Sequence, residues 1–468
     1  MSSGNDDDGK EKTTKKKETK TAMTCKKAGG SFGDWYSEAV VHGGMIEYYP
    51  AVSGCYVLMP PAMAVWNLLK DFFDAEMNKL KVNPYYFPLF VTEAALHKAK
   101  HHVEGFAPEV AWVTKSGDSD LDTPLAIRPT SETVMYPYFA KWIRSYRDLP
   151  FRCYQWCNVV RWEFTNPTPF IRSREFLWQE GHSAFATEEH AGEEVAQMIL
   201  EVYRRIYEEF LAVPVIKGRK SEAERFAGAL YTASVEAFVP DAGRGVQAAT
   251  AHCLGQRFAD MFGIRFEDDK GLRSNVWQNS WGYSTRSIGV MVVVIPVIYK
   301  DADTAAAIKA ACESTVDALG RSGIRAEFDG RENHSPGWKY SHWEMRGVPL
   351  RIEIGPKDLA NNRRRLECCW MGFRKTLFRT ARERRDACIR VIHTWDEFIA
   401  ALNDKRLILA PWCDEMEDVK ARTTKGEGEL GAAKTLCTPF DRPELPEGTL
   451  CFASGKPAKT WSFWGRSY

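Results

Sequence analysis

The stretch from Arg128 to His182 limits the possible folds more than any other part of the chain. It runs through Arg128-Pro129-Thr130-Ser131-Glu132 and Val160-Arg161-Trp162-Glu163-Phe164, then closes on Ile171-Arg172-Ser173-Arg174-Glu175-Phe176-Leu177-Trp178-Gln179-Glu180-Gly181-His182. Arginines and carboxylates alternate with tryptophan, phenylalanine and leucine. An exposed face seldom carries so many large rings, and an ordinary core strand does not place Arg161 and Glu163 on one side, where residues two apart must lie. The pattern predicts strands lining a pocket with a charged floor. Guanidinium groups held in such a pocket require phosphate or carboxylate partners, because an unpaired buried cation is costly.

The 468 residues suffice for two or three domains with substantial cores. Lys plus Arg (63) nearly balances Asp plus Glu (62), so net charge argues for no polyanionic partner and a nucleic-acid surface must come from local clustering. The 12 cysteines are scattered without paired metal-site spacing and follow no secretory signal, which predicts reduced thiols in a cytoplasmic setting. The longest apolar run, 288–298, is too short to span a bilayer. Residues 1–30 are rich in Lys, Thr, Ser and Asp and read as a disordered tail, either solvated or brushing RNA phosphates. Helical periodicity covers 61–81 (Val65, Leu68, Leu69, Phe72, Phe73) and 188–210. Residues 85–91 read as a strand, and Pro88 within it demands an edge or interface position. The run 288–298 reads as a buried strand, followed by a helix over 303–319 and strands over 325–329 and 348–354, a small α/β domain.

The order Arg161-x-Glu163, a short Pro-containing loop, then Arg172-x-x-x-Phe176-x-x-x-Glu180 resembles motif 2 of the class II aminoacyl-tRNA synthetases. With Arg128-Pro-Thr-Ser-Glu132, Trp178-Gln-Glu-Gly-His182, 217–220 (Lys-Gly-Arg-Lys) and the final Gly465-Arg-Ser-Tyr468, the chain resembles the prolyl-tRNA synthetases of the archaeal and eukaryotic type, densely over 33–292. The resemblance implies an α+β fold: an antiparallel-sheet catalytic core over 31–293, an anticodon-binding domain over 294–400 and a C-terminal unit over 401–468. It also implies a homodimer formed through the 61–91 helix and strand, with ATP, Mg2+, L-proline and tRNA(Pro) as reactants and other synthetases as partners of the tail. Arg161 would clamp the α-phosphate and the proline carboxylate, Glu163 would accept from the adenine amino group, and Arg172 would reach the γ-phosphate. Arg174 has an alternative as a structural partner of Glu175 or Glu180. Thr130, Glu132, Trp178, Glu180, His182 and His252 would form the proline pocket, while Gln247 and Thr250 would contact ATP. Lys339, Arg351, Lys357 and 363–365 would give the second domain a basic face for RNA. No large insertion interrupts 172–247, so hydrolysis of mischarged alanine would fall to a separate protein. Missing methylenes give only about 1–3 kcal/mol of discrimination.

Several features depart from that pattern. Ala248 and Ala249 stand where the family has two glycines, and their methyl groups would narrow backbone approach to the nucleotide. After Asn279-Ser-Trp-Gly282 and Gly289-Val-Met291, the family's third motif, a Gly-rich turn and a helix entered through Pro-Pro-Arg, is not found, because Met291 runs directly into Val292-Val-Val-Ile-Pro296. Arg286 matches a different family position and is not assigned the missing role. The second domain lacks a strand and most of a helix after Lys357-Asp358. Of four positions that hold structural zinc in relatives, Cys413 and Cys451 are remnants, while Asp418 and Ala453 occupy the others, too few thiols for a closed tetrahedral site. The expected function is therefore proline–tRNA ligase. The alternatives are a catalytically silent relative that retains tRNA or proline binding, and a dimerisation partner without a ligand.

Overall fold

The computed structural model of the chain describes residues 32–96, 109–162, 166–292, 369–415 and 433–468, with Val419 and scattered positions between 313 and 343. The tail over 1–30, Glu163, Asp418 and most of the elements and basic residues expected between 303 and 365 lie outside these residues. Of that basic face, Lys339 is described, and its Nζ donates to the Asp329 carbonyl at 3.0 Å.

Eleven strands form one twisted sheet. Its order runs Ile389–Val391, Leu407–Trp412, Thr460–Ser467, Ala433–Pro439, Val215–Arg219, Tyr231–Val239, Arg244–Gly255, Trp277–Ser284, Glu175–Phe185, Phe151–Val160 and Asn83–Pro84. The central members pair antiparallel, so one face of each strand can pack on a core while the other lines a site.

One sheet face is covered by two helices. The helix Pro60–Lys79 opens on two prolines, whose missing N–H groups cost nothing in a first turn, and buries Ala62, Trp66, Leu69, Phe73 and Met77. These five follow a 3.6-residue period. Leu68, expected on the same stripe, is instead 55 % exposed. Residues 188–210 form the predicted amphipathic helix, continuous but with two wider-turn stretches at Glu194–Ile199 and Ile206–Phe210. Its Val195, Ile199, Tyr203 and Tyr207 pack in one core with Phe73, Val235, Ala251 and Tyr283. On the opposite face, helices Glu132–Trp142 and Arg257–Phe262 join Cys153, Ala184 and Leu254 in a second core.

Three expectations change. Residues 85–89 are not a strand. Only Asn83–Pro84 adds to the sheet, at its edge, and Phe90–Thr92 belongs to a separate three-stranded sheet. Side chains satisfy the irregular backbone between them. Arg128 Nη1 donates to the Phe87 and Pro88 carbonyls at 2.9 and 2.5 Å, and Phe87 N donates to Gln155 Oε1 at 3.0 Å. The aliphatic run from 288 begins as a helix, Arg286–Val292, because a short apolar run carries no period of its own. Gly289 lets that helix sit close: a Cβ there would lie 2.7 Å from Phe170 Cβ and Tyr36 Oη. The expected boundary at 400 falls inside the helix Trp395–Asn403, whose core includes Trp412, Phe452 and Trp464.

The C-terminal unit extends the eleven-stranded sheet rather than standing apart from it. Thr438 and Pro439 pair with Arg219 and Gly218, and Arg244 and Gly245 pair parallel with Arg466 and Ser467.

Candidate active site

Strand register assembles the site. Cys153, His182, Ser280, His252 and Thr232 form one transverse row on the sheet; Gln155, Glu180, Gly282, Thr250 and Ser234 form the next. Residues directly opposite one another share a face, so polar groups far apart in the chain meet on one floor. Helix Glu132–Trp142 closes over this floor and brings Glu132 from its first turn.

Glu132, Glu180 and His182 are at most 2 % exposed, and one ligand-type atom from each lies within 4.8 Å of the others. Glu180 accepts from Ser131 N at 2.9 Å, Gln155 Nε2 at 3.1 Å and Thr130 Oγ1 at 3.4 Å. Its Oε1 also stands 3.0 Å from His182 Nε2. Burial pushes its pKa up, but the bonds from His182, Ser131 and Gln155 outweigh burial and hold it below the usual carboxylate range. Glu132 goes the other way: burial and the Glu180 charge raise it, against His182 and a 2.5 Å bond from Thr130 Oγ1. One acid is thereby kept ionised and its neighbour is made to hold a proton more readily. His182 is held at both ring nitrogens, with Nε2 on this carboxylate and Nδ1 2.9 Å from Tyr136 Oη.

Beside this acid centre lies a cationic end. Arg161 donates Nε to the Pro129 carbonyl at 3.2 Å, and its guanidinium lies 5.4 Å from the Trp178 ring and 5.6 Å from Phe176. Gly282 makes room for Trp178, since a Cβ there would come within 2.6 Å of Trp178 Nε1. Arg172 ends a tight turn closed by paired backbone bonds to Thr168 at 2.9 and 3.0 Å. Arg174 Nη1 donates to Ser53 O at 3.0 Å and its guanidinium covers Trp162 at 4.8 Å.

Arg286 is the residue that motif reading set aside and the tertiary structure brings in. It opens the Arg286–Val292 helix and ties the turn to the sheet, Nε to Ile171 O at 2.9 Å and Nη1 to Gln247 O at 3.0 Å. Burial is the main cause that lowers its pKa to about 10; Tyr207 and Glu236 oppose this, while Arg161 and Arg172 add to it. Three guanidinium groups thus converge on one region, an arrangement suited to a polyanion. The correction to the expected third motif is that a turn and a helix with arginine at its head do follow Trp277–Ser284. The signal was present as Thr285-Arg286, three residues after Gly282.

A β-bulge opposite Val235 and Glu236 decides which way Gln247 and Thr250 turn. It inserts Ala248 between Gln247 and Ala249, so Gln247 and Thr250, three apart, share the site face. Ala248 and Ala249 are each 4 % exposed and belong to the core on the helix side. The bulge turns their methyl groups away from the face that carries Gln247 and Thr250. His252 Nδ1 lies 2.8 Å from Thr232 Oγ1, and burial, then the charges of His182 and Arg161, lower its pKa to about 3. The helper residues Gln155, Tyr136 and Thr232 carry no local sequence signal, because only strand pairing and helix packing bring them to the site.

At the chain end, the Tyr468 amide donates to Gly245 O at 3.2 Å, and its ring lies 5.3 Å from the Arg244 guanidinium. Tyr468 shares a small cavity with Thr168 and Ile171, so the last residue abuts the turn that carries Arg172. In the C-terminal core, Cys413 and Cys451 are buried, Cys413 Sγ lies 3.5 Å from Ser454 Oγ, and the neighbouring Ala453 supplies no ligand atom.

Comparison with known proteins agrees with this geometry. The family model "tRNA synthetase class II core domain (G, H, P, S and T)" matches residues 112–294, "Anticodon binding domain" matches 291–367, and "Prolyl-tRNA synthetase, C-terminal" matches 395–468. The chain is 60 % identical to the cytoplasmic proline–tRNA ligase of Arabidopsis thaliana over 98 % of this chain and 93 % of that protein. It is 45 % identical to the bifunctional glutamate/proline–tRNA ligase of Mus musculus, of which it spans 33 %. The crystal structure of prolyl-tRNA synthetase from Cryptosporidium parvum complexed with halofuginone and AMPPNP superposes with a TM-score of 0.86 at 44 % identity, covering 95 % of this chain and 99 % of that one. With a class II core, an acid-lined pocket beside converging arginines and this degree of identity over nearly its whole length, the chain belongs to the prolyl-tRNA synthetase family.

Proposed function

We propose that the chain is a proline–tRNA ligase of the cytoplasm, which activates L-proline with ATP and passes the prolyl group to tRNA(Pro). The observation that carries this reading is the pairing of a buried Glu132–Glu180–His182 pocket with a cationic end at Arg161, Arg172 and Arg286. Proline offers a cationic secondary amine and a carboxylate. The acid pocket, with Thr130, suits the amine, and Trp178 supplies an apolar wall. Arg161, between the pocket and the arginine cluster, suits the carboxylate and the α-phosphate it must attack.

Two anions have to be held together for that attack, so fixed cations and positioning supply most of the rate enhancement. Arg172 and Arg286 would bind the outgoing phosphates, with Gln247 and Thr250 beside them and Glu163 on the adenine. Arg286 takes the cationic role whose apparent loss suggested a silent relative. Among the described residues the metal-capable cluster lies in the acid pocket, so Mg2+ would enter on the triphosphate, held by phosphates and water, and would add charge neutralisation there. The residues at the zinc position do not fit a four-thiol site: Cys413 and Cys451 stand with Ala453, which has no ligand atom, and with Asp418 in the sequence. A homodimer through the exposed Tyr86 and Phe90 region, and tRNA contacts from the anticodon-binding domain over 294–400, belong to the same reading.

Proline-dependent ATP–pyrophosphate exchange by the purified chain tests it. Exchange well above a control lacking proline is expected, and Arg161→Ala should remove it. A folded preparation without exchange would overturn the ligase reading.

A further inference from the structure

His252 is held by a chain of hydrogen bonds that ends outside the pocket. The Phe226 amide donates to Thr232 Oγ1 at 2.8 Å, and Thr232 Oγ1 lies 2.8 Å from His252 Nδ1. The Phe226 ring packs on the imidazole, 4.7 Å between centroids, and Thr232 is 2 % exposed. A hydroxyl that accepts from a backbone N–H still has one proton to give. Its neighbour His252 Nδ1 is the acceptor within reach. The imidazole is neutral near pH 7, because burial and the nearby His182 and Arg161 disfavour its charged form. A neutral ring that accepts at Nδ1 must carry its proton on Nε2.

We propose that Thr232 is a positioning residue that locks His252 in the Nε2–H tautomer, so that the pocket presents a neutral hydrogen-bond donor to an oxygen of the amino-acid substrate. This rests on the ligase reading for the identity of the substrate, though not for the tautomer. The site's other histidine is also engaged at both nitrogens, with Tyr136 Oη at Nδ1 and Nε2 turned to Glu180. The two rings then divide the work. His182 spends its proton on keeping Glu180 oriented and ionised, and His252 keeps its proton for the ligand. A charged His252 would oppose the substrate's cationic amine, and the other tautomer would turn a lone pair toward the carboxylate. The Thr232 hydroxyl excludes that second state without entering the pocket.

The test is the 15N spectrum of histidine-labelled protein without substrate, with the His252 signals identified by their loss in His252→Asn. The expected parent pattern is a protonated Nε2 and a bare Nδ1. Thr232→Val should give a mixture of tautomers, and Thr232→Ser should restore the parent pattern. In pyrophosphate exchange, Thr232→Val should raise the proline KM about tenfold, the scale of one hydrogen bond, and leave the ATP KM unchanged. Thr232→Ser should stay near the parent. A protonated Nδ1 in the parent, or a Thr232→Val protein with an unaltered His252 spectrum, would refute the lock. A serine variant as impaired as the valine one would reduce Thr232 to packing. Absence of exchange in the parent would sink the ligase reading alone, since the spectrum decides the tautomer by itself.

Discussion

Charged residues inside this pocket divide by what faces them. Glu180 collects donors from four directions and stays ionised, whereas Glu132, at the start of the facing helix, is pushed toward its protonated form by burial first and then by that same charge. His252 gives the clearest consequence for pH. Its folded pKa, about 3, lies below the ordinary value of 6.5. Below that ordinary value the unfolded chain binds a proton that the folded site refuses, so stability is full above it and drains away as pH falls toward the folded pKa. The slope is at most about 1.4 kcal/mol per pH unit. Thermal unfolding at pH 7 and pH 5 should therefore show a larger drop in midpoint for the parent than for His252→Asn. Equal drops would mean that the imidazole is not held neutral. The chemical types of Thr130, Glu132, Glu180, His182 and His252 were legible in the chain, since their motifs name them. Their protonation was not, because it depends on Tyr136, Gln155 and Thr232, which come from other elements.

At the scale of elements, the sheet works because its glycines yield space to tryptophans on adjacent strands. Gly181 is the sharpest case: an added Cβ would meet Trp281 Nε1 at 2.2 Å, and Trp281 is 1 % exposed in the main core. Neither strand can retreat without breaking the Trp281–Gly181 register on which the site rows depend. Gly181→Ala should lower stability by at least about 2 kcal/mol, read as a shift in the urea midpoint, with loss of proline-dependent exchange. A midpoint equal to the parent's would show that the indole has room to move. The helix at 188–210 was readable from its period, and so was most of the Pro60–Lys79 stripe. The helix at Arg286–Val292 was not. Its five residues from the apolar run, 288–292, fit strand and helix alike, and packing of Gly289 against Phe170, Tyr36 and Ile171 made the choice.

Across the whole molecule, the catalytic sheet and the C-terminal unit are one continuous structure rather than neighbours on a linker. Lys220 stands at the seam, 5 % exposed at its side chain, with Nζ 2.7 Å from Glu236 and 2.8 Å from the Leu436 carbonyl. Ser221 and Thr435 add a hydroxyl pair at 2.9 Å. Removing the lysine leaves Glu236 buried and unpaired, a cost of about 3–5 kcal/mol. Lys220→Ala should therefore destabilise the chain by that order, with Lys220→Ala/Glu236→Gln recovering part of it. A single variant as stable as the parent would show that the seam is held by apolar contacts alone. Glu236 also lies opposite Gln247 on the site strand, so loosening the seam should weaken ATP binding as well.

By itself the sequence determined the chemistry of this protein: which arginines, acids and histidines exist, their spacing along strands, and the resemblance that orders them into a synthetase. These are local facts, carried by residue type and a period of two. Only the tertiary structure decided that Arg286 joins Arg161 and Arg172, that a bulge turns Ala248 and Ala249 away from the face of Gln247 and Thr250, and that the C-terminal strands complete the main sheet. Each of these depends on partners far away in the chain, where burial and the need to satisfy every buried polar group select one arrangement among several that the local pattern allows.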